Sequence, residues 1–405
     1  MKKYLFVLIN LLNLAQFSTI KEIVLIGNEL TTNQTILNHI NHHVGDIVNI
    51  DQAIEDQLNL YNTGLFYDVI IQPTDSVYYI YLFEKPKILP QPRFNKHDVL
   101  GWSYGASILF NNINGENKKL NVGALTGKTT IFDLHYTNPN LPNTNDSLNI
   151  KIYKTKFRGI EDDYKINRTG ITISINAPTK NPHNEIKAEL IYEYNSINFI
   201  EQYFNHKLHS LEATISYKNL NNSNKLQKRN IFTIDYSFIK FKKYYKDYNK
   251  IKIKNNFIIP FVNNHDLGRI VIINQCIINF SDNIPIYNKV FLNNETIVRG
   301  YDPNPLNYSE SNLKNRLKWN NIISATIQIE LPLFKKNTFK TEFLLFIDYG
   351  IGANKYHDFD IGKKLEGFGF GARYEILRLG NVDLCIGINP FGEKNFHAIA
   401  NFKSF

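Results

Sequence analysis

The sequence predicts a mainly β protein: a 16-stranded transmembrane antiparallel β-barrel preceded by one small α+β domain of order β-α-α-β-β. Three observations carry that expectation. The first residues have the form of a secretory signal. The next stretch, 20–87, changes element type in a set order, and from 102 to 405 apolar and polar residues alternate with a period of two.

Composition sets the outer bounds. The chain of 405 residues is 43% hydrophobic with a mean hydropathy of -0.29, which supports a folded protein and argues against a bundle of membrane helices. Aromatic residues make up 13%, a share suited to strands and membrane interfaces. The net charge of +9 is scattered, with one modest cluster, FIKFKKYYKDYNKIKIK at 238–254. No helix or recognised module gathers it, so a nucleic-acid partner is not expected. The two cysteines, Cys276 and Cys385, stand in separate strand-like segments and supply neither a disulfide framework nor a metal quartet. No cofactor is expected, and no Ser-His-Asp order or nucleophile elbow suggests an enzyme.

MKKYLFVLINLLNLAQ has two lysines, an apolar run and then Ala15-Gln16, so residues 1–18 read as a cleaved signal peptide; an uncleaved anchor is the alternative. The run is too short for a membrane span. No other stretch approaches about 18 continuous apolar residues, so any crossing must use strands.

Residues 20–87 form the small domain. IKEIVLIGN is a strand ended by Gly27-Asn28. Thr31-x-x-Gln34 suggests a capping box, with Ile36, Leu37, Ile40 and Val44 on one helical face and Gly45 as the stop. A second helix starts near Asn49-x-x-Gln52, turns Ile54, Leu58 and Tyr61 inward, and ends at Gly64, where a left-handed residue is needed. Phe66 then plugs the core, and the strands YDVIIQP and VYYIYLFEKP follow. His39, His42 and His43 have metal-ligand spacing on a helix, but no carboxylate or cysteine completes a set. A solvated face opposite Ile36 and Ile40 is therefore the expected reading.

A Pro-rich connection lies in 85–94, and residues 88–101 read as a linker. The barrel is expected over 102–405, in about sixteen alternating segments from 102–110 to 395–405, with 288–294 as the eleventh. In ISATIQIELPL, for example, Ile323, Ile327 and Leu333 oppose Ser324, Thr326, Gln328 and Glu330. A soluble half-buried sheet would alternate in the same way. The leader, the charged and glycine-rich inner face and the terminal Phe405 favour a barrel, which must close because lipid offers no water to unpaired backbone.

The longest gap between strands, 295–319, opens with ETIVRGYDPN. With the N-terminus periplasmic, this is the sixth external loop. Two strands later comes Phe346-Ile347-Asp348-Tyr349-Gly350. Parity puts Leu345, Ile347, Tyr349 and Ile351 toward lipid, leaving Phe346, Asp348 and Gly350 inside. Asp348 is then available to Arg299, whose planar fork can hold both carboxylate oxygens; Glu330 faces the same way, and Arg373 could compete for Asp348.

These residues carry a resemblance. Gly27-Asn28, the run Tyr61-Asn62-Thr63-Gly64-Leu65-Phe66 and the closing Glu84-Lys85-Pro86 look like a POTRA domain, a periplasmic module. Val298-Arg299-Gly300-Tyr301 and the Phe-x-Asp-x-Gly strand are similar to motifs of BamA-like insertases and two-partner secretion transporters. The whole resembles the BamA/TamA-like outer-membrane protein assembly factor family, with a POTRA domain and a bacterial surface antigen-type barrel. Members usually carry more than one POTRA domain, whereas this chain has room for one.

The resemblance implies a location in the bacterial outer membrane, with the POTRA domain in the periplasm. It implies a loop folded into the lumen, its arginine clamped to the wall, and a weak seam between first and last strands that templates incoming strands. The partners so implied are unfolded outer-membrane protein clients and outer-membrane lipids, with accessory periplasmic proteins or lipoproteins as further candidates. The function implied first is folding and insertion of client barrels. The alternative is a two-partner-secretion-type transporter moving one dedicated protein, and a passive porin explains the alternation but neither motif.

Overall fold

The computed structural model describes residues 19–402, apart from 75, 98–100, 142, 143, 145, 160–163, 180, 182, 200–203, 224–227, 262–266, 295, 309, 310, 337, 338 and 377–379. Residues 1–18 and Phe405, which carry the signal-peptide and C-terminal readings, lie outside the described residues. The chain divides into two compact units. One runs up to Gln91 and includes 108–121 and 136–139; the other comprises 92–107, 122–135 and the chain from Asn140 onward.

The first unit contains β1 (Glu22–Ile26), a helix at Asn33–Leu37, a helix at Ile50–Asn62, β2 (Phe66–Thr74) and β3 (Val77–Glu84). This is the β-α-α-β-β order expected from the sequence. The sheet order is β1-β3-β2, with β1 parallel and β2 antiparallel to the central β3. Ile20, Ile36, Leu60, Leu65, Phe66, Val69, Tyr78 and Ile80 fill the core. Gly64 adopts φ 77° at the end of the second helix, the left-handed conformation expected there, and sends Leu65 and Phe66 into that core. Gly27 closes β1 against the backbone of Leu82, where a Cβ would stand 2.3 Å from the carbonyl oxygen. Asn28 braces the following turn, its Nδ2 donating to Asn33 Oδ1 at 2.6 Å.

Three expectations for this unit are corrected. The first helix ends at Leu37, far short of Gly45, and its N-cap is Thr32 instead of Thr31. The second helix buries Ala53, Asp56 and Leu60, while Ile54, Leu58 and Tyr61 face outward. The histidines do not share a solvated helical face, because His42 is fully buried. One polar cluster explains the last two. His42 Nδ1 lies 2.7 Å from Asp56 Oδ2, and the Tyr78 hydroxyl donates to that oxygen at 3.0 Å. The Asn41 N–H donates to Asp56 Oδ1 at 2.6 Å, and the Asn49 N–H to His42 Nε2 at 3.2 Å. Since Nε2 accepts, the network assigns the ring proton to Nδ1. A buried carboxylate must be surrounded by donors, and this requirement, not apolar periodicity, chose the inward face of the second helix.

Sixteen strands form the large sheet, in an order that runs stepwise from β4 to β21 without β15 and β16. They are β4 (Ile88–His97), β5 (Gly101–Ile113), β6 (Lys118–Gly127), β7 (Thr130–Asn138), β8 (Ser147–Arg158) and β9 (Tyr164–Pro178). Next come β10 (Asn184–Phe199), β11 (Phe204–Ser223), β12 (Lys228–Phe241), β13 (Tyr248–Pro260) and β14 (Arg269–Asn279). The last five are β17 (Asn321–Lys335), β18 (Phe339–Ala353), β19 (Leu365–Ile376), β20 (Gly380–Ile388) and β21 (Lys394–Phe402). The alternation holds: Ile323, Ile327 and Leu333 face outward, and Ser324, Thr326, Gln328 and Glu330 are buried inward. Ile351 departs from its expected lipid face and is buried. Among the described residues no helix is long and apolar enough to cross a membrane, which leaves strand crossing untouched.

The strand count agrees with the sequence reading, but two strands differ. Residues 88–97, read as part of a linker, form β4, the first strand of the sheet. Residues 288–294 are not a wall strand; within them β15 (Val290–Phe291) pairs with β16 (Lys318–Trp319) as a short ribbon inside the long loop.

β4 carries Pro90 and Pro92, which an end strand of a sheet tolerates and a central one does not. The Asn111 N–H donates to the Lys87 carbonyl at 2.7 Å, so that carbonyl points to β5 and the next N–H, of Ile88, points away. Backbone direction alternates along a strand, so positions 90 and 92 also point away from β5. Both prolines therefore delete donors on the outer edge of β4 and none on its paired edge.

Candidate functional site

The long loop between β14 and β17 carries the Val298-Arg299-Gly300-Tyr301 motif, and its part from Val290 to Trp319 folds around a core of its own. Leu292, Ile297, Val298, Tyr301, Tyr308, Leu317 and Trp319 pack with Ile322 of β17 and Leu365 of β19. A loop with its own core is held as a body, not draped residue by residue.

Arg299 sits at the tip and is 6% exposed; Asp348 of β18 is fully buried. Nε of Arg299 donates to Asp348 Oδ2 at 2.7 Å, Nη2 donates to Oδ1 at 2.8 Å, and the backbone N–H of Arg299 adds a third bond to Oδ2 at 3.0 Å. This is the bidentate fork expected from the sequence. Thr326 Oγ1 supplies a further donor to Oδ1 at 2.8 Å. The guanidinium carbon lies 3.4 Å from the centroid of the Phe346 ring, so the first residue of Phe-x-Asp-x-Gly stacks on the cation that the third residue neutralises. Gly350 completes that face, since a Cβ there would come 2.7 Å from Val298. Removing one partner of such a buried pair costs about 3–5 kcal/mol, because the other charge is left unpaired away from water.

The loop backbone lies almost in contact with the wall. A Cβ at Gly367 would stand 1.7 Å from the Arg299 carbonyl oxygen, a distance no side chain could occupy. Gly300 has φ 107°; its N–H donates to His397 Nε2 at 3.1 Å and its carbonyl accepts from Asn395 Nδ2 at 3.0 Å. Both partners stand on β21. Tyr301 is buried, with its hydroxyl 3.4 Å from the Glu366 N–H, and its ring meets Tyr308 edge-on at 6.5 Å.

Two expectations about the wall are corrected. Glu330 is buried and faces inward, but it is not a direct partner of Arg299. Arg373 does not compete for Asp348: its Nε and Nη2 donate to Asp383 at 2.8 Å each, and its Nη1 donates to Glu330 at 2.6 Å. The link between clamp and wall is Gln328. Its Oε1 accepts from Arg299 Nη1 at 3.0 Å, and its Nε2 donates to Glu330 Oε1 at 2.7 Å. Glu330 in turn meets Arg269, which reaches Glu342 at 3.0 Å. The clamp is thus one end of a charge chain crossing β14, β17, β18, β19 and β20. Cations and carboxylates alternate along it, so each buried charge has an opposite neighbour.

Gln328 was visible in the sequence as an inward position but carried no motif. His397 and Asn395 gave no signal at all, because their role depends on the last strand lying beside the loop tip. The arrangement is suited to holding a loop. No group of three or more His, Cys, Asp and Glu side chains among the described residues could hold a metal ion.

A long antiparallel sheet with an apolar outer face, a charged inner face and a folded loop clamped to that inner face defines a class of outer-membrane β-barrel proteins. The chain belongs to the Omp85 superfamily, whose domain matches residues 112–376. β-Barrels of this family reside in the bacterial outer membrane. Among solved structures it is similar to BamA from Haemophilus ducreyi lacking POTRA domains 1–3, with a TM-score of 0.69 at 15% identity over 95% of this chain and 85% of that one. It is also similar to CdiB from Acinetobacter baumannii, with a TM-score of 0.61 at 15% identity over 95% of this chain and 73% of that one. CdiB from Escherichia coli gives 0.64 at 12% identity over 95% and 76%. At these identities the likeness is one of fold. No curated protein matches.

Proposed function

We propose that this protein is an assembly factor that folds client β-barrels and inserts them into the outer membrane. The α+β unit acts as a periplasmic POTRA domain, and the sheet closes as a barrel whose seam lies between β4 and β21. The observation that carries this reading is the outer edge of β4, where Pro90 and Pro92 remove two donors. A closed seam there gains fewer hydrogen bonds than an ordinary strand pair. An open seam exposes fewer unsatisfied N–H groups to hydrocarbon, where each costs several kcal/mol. Both effects lower the barrier to exchanging β21 for an incoming strand. The outer strands of the small sheet, β1 and β2, offer edges to which an extended client can add. The protein works as a template without cofactor or catalytic residue, and the work comes from client folding.

The second reading is a two-partner-secretion-type transporter that moves one dedicated protein, and the likeness to CdiB favours it. Depletion in the host, followed by measuring the folded, heat-modifiable fraction of every other outer-membrane barrel, separates the two. A general loss supports the insertase. Loss of one secreted protein with the other barrels intact overturns it in favour of the transporter.

A further inference from the structure

The Arg299 clamp holds the tip of the long loop to β18. The first arm of the loop lies against a different wall. Ile286 and Tyr287 pack on Tyr164 and Ile166 of β9, Ile197 of β10 and Leu208 of β11. In the order of the sheet, β9 and β18 are separated by six strands, β10 to β14 and β17. One loop thus touches two distant parts of the same inner face.

The contact on β9 is built around a second arginine. Arg168 Nε donates to Asn195 Oδ1 at 3.0 Å and lies 3.6 Å from Glu193 Oε2, both on β10. Its guanidinium carbon is 5.1 Å from the centroid of the Tyr287 ring and 5.8 Å from that of Phe157. The support behind it is specific. Tyr153 donates its hydroxyl to Glu193, and Asn195 Nδ2 donates to the same carboxylate at 3.3 Å. Gly170 makes room for Tyr153, since a Cβ there would lie 2.6 Å from that ring. The next residue of the loop is tied as well: Asn288 Nδ2 donates to the Tyr248 hydroxyl at 3.2 Å.

We propose that Arg168 and Tyr287 form a second anchor for the long loop, holding its first arm to the β8–β10 wall independently of the Arg299–Asp348 clamp. Arg168 is a positioning residue: carboxylate and amide partners fix its plane, and the plane presents a cationic face to the Tyr287 ring. Arginine suits this use because its weakly hydrated, planar cation stacks on aromatic faces, which the compact ammonium of lysine does less well. Release of one arm leaves the other in place, so the loop has two separable restraints.

The test is hydrogen exchange followed by mass spectrometry on the full-length protein in detergent micelles. Tyr287→Ala and Arg168→Gln are each expected to speed exchange across 283–288 by about two- to thirtyfold, as loss of a partly buried cation–π contact implies. Exchange across 297–301 stays as in the parent. Tyr287→Phe retains the ring and is expected to behave as the parent. The proposal is overturned if Tyr287→Ala leaves 283–288 unchanged, if Tyr287→Phe is as disruptive as Tyr287→Ala, or if 297–301 loosens in parallel. Heat-modifiability reports whether each variant has folded; should Arg168→Gln fail, Tyr287→Ala, on the loop and outside the sheet, decides alone. The readout involves no client, so its outcome is independent of the insertase reading.

Discussion

Gly300 donates its backbone N–H to Nε2 of His397 at 3.1 Å, which ties the tip of the long loop to the last strand of the sheet. Asn395 accompanies it by donating to the Gly300 carbonyl. Both groups of one peptide neighbourhood are therefore satisfied by β21. His397→Leu would leave a buried N–H without its acceptor, a loss of about 1–3 kcal/mol. The expected outcome is a lower temperature for the heat-modifiability transition, with a smaller shift for Asn395→Ala. An unchanged transition in His397→Leu would mean that the tip does not depend on β21.

Arg299→Ala and Asp348→Ala are each expected to lower stability by about 3–5 kcal/mol, and the double variant by little more than either. Arg299→Lys should recover only part, since it keeps the charge but loses the fork to Asp348 and the stack on Phe346. Denaturant unfolding of the four proteins completes the cycle. Additive defects would show that the two residues act separately.

The prolines of β4 can be exchanged for strand-forming residues. Pro90→Val with Pro92→Val restores two N–H donors on the outer edge and suits the outward face. The seam should close more firmly, raising the unfolding temperature while slowing insertion of a client barrel into lipid vesicles. Faster insertion by the double variant would refute the role given to this edge.

In the small unit, burial, with the Asp56 carboxylate alongside, holds the Tyr78 phenol well above its ordinary value. In the unfolded chain a tyrosine titrates near about 10. Above that pH the unfolded state loses the proton and the folded state keeps it. The contribution is therefore fully present below the unfolded value and is lost as pH rises toward the folded one. Tyr78→Phe should cost about 1.5–3 kcal/mol at neutral pH, as a hydrogen bond to a carboxylate is lost, and should flatten the decline above about pH 10. The urea midpoint for proteolysis within residues 33–62 of the full chain, measured across that range, reads both effects.

Much of this was legible in the chain. Period-two alternation fixed which face of each wall strand is apolar, because side chains on a strand must alternate whatever the neighbours are. That rule placed Asp348 and Phe346 inside, where Asp348 was available to Arg299; the entry of the loop into the lumen was implied by the resemblance to BamA-like proteins. Gly64 was equally plain, since a helix ending in a left-handed residue leaves little choice of side chain. Local signals failed where a distant group decided. The face of the helix at Ile50–Asn62 followed Asp56 because His42 and Tyr78, far apart in sequence, converge on it. The strand at Ile88–His97 was hidden because prolines argue against a strand in general but not against one at the end of a sheet.

The sequence by itself determined the class of the fold and the inward and outward sides of its strands, which made Asp348 available to Arg299. These follow from rules that act over a few residues or from parity along a strand. Only the tertiary structure decided that Gln328 joins the clamp to Glu330, that Arg373 belongs to Asp383, and that His397 holds Gly300. Those choices depend on which strands lie side by side and how closely the loop approaches them. A buried charge takes the nearest opposite charge in space, and distance in space is not written in the order of the residues.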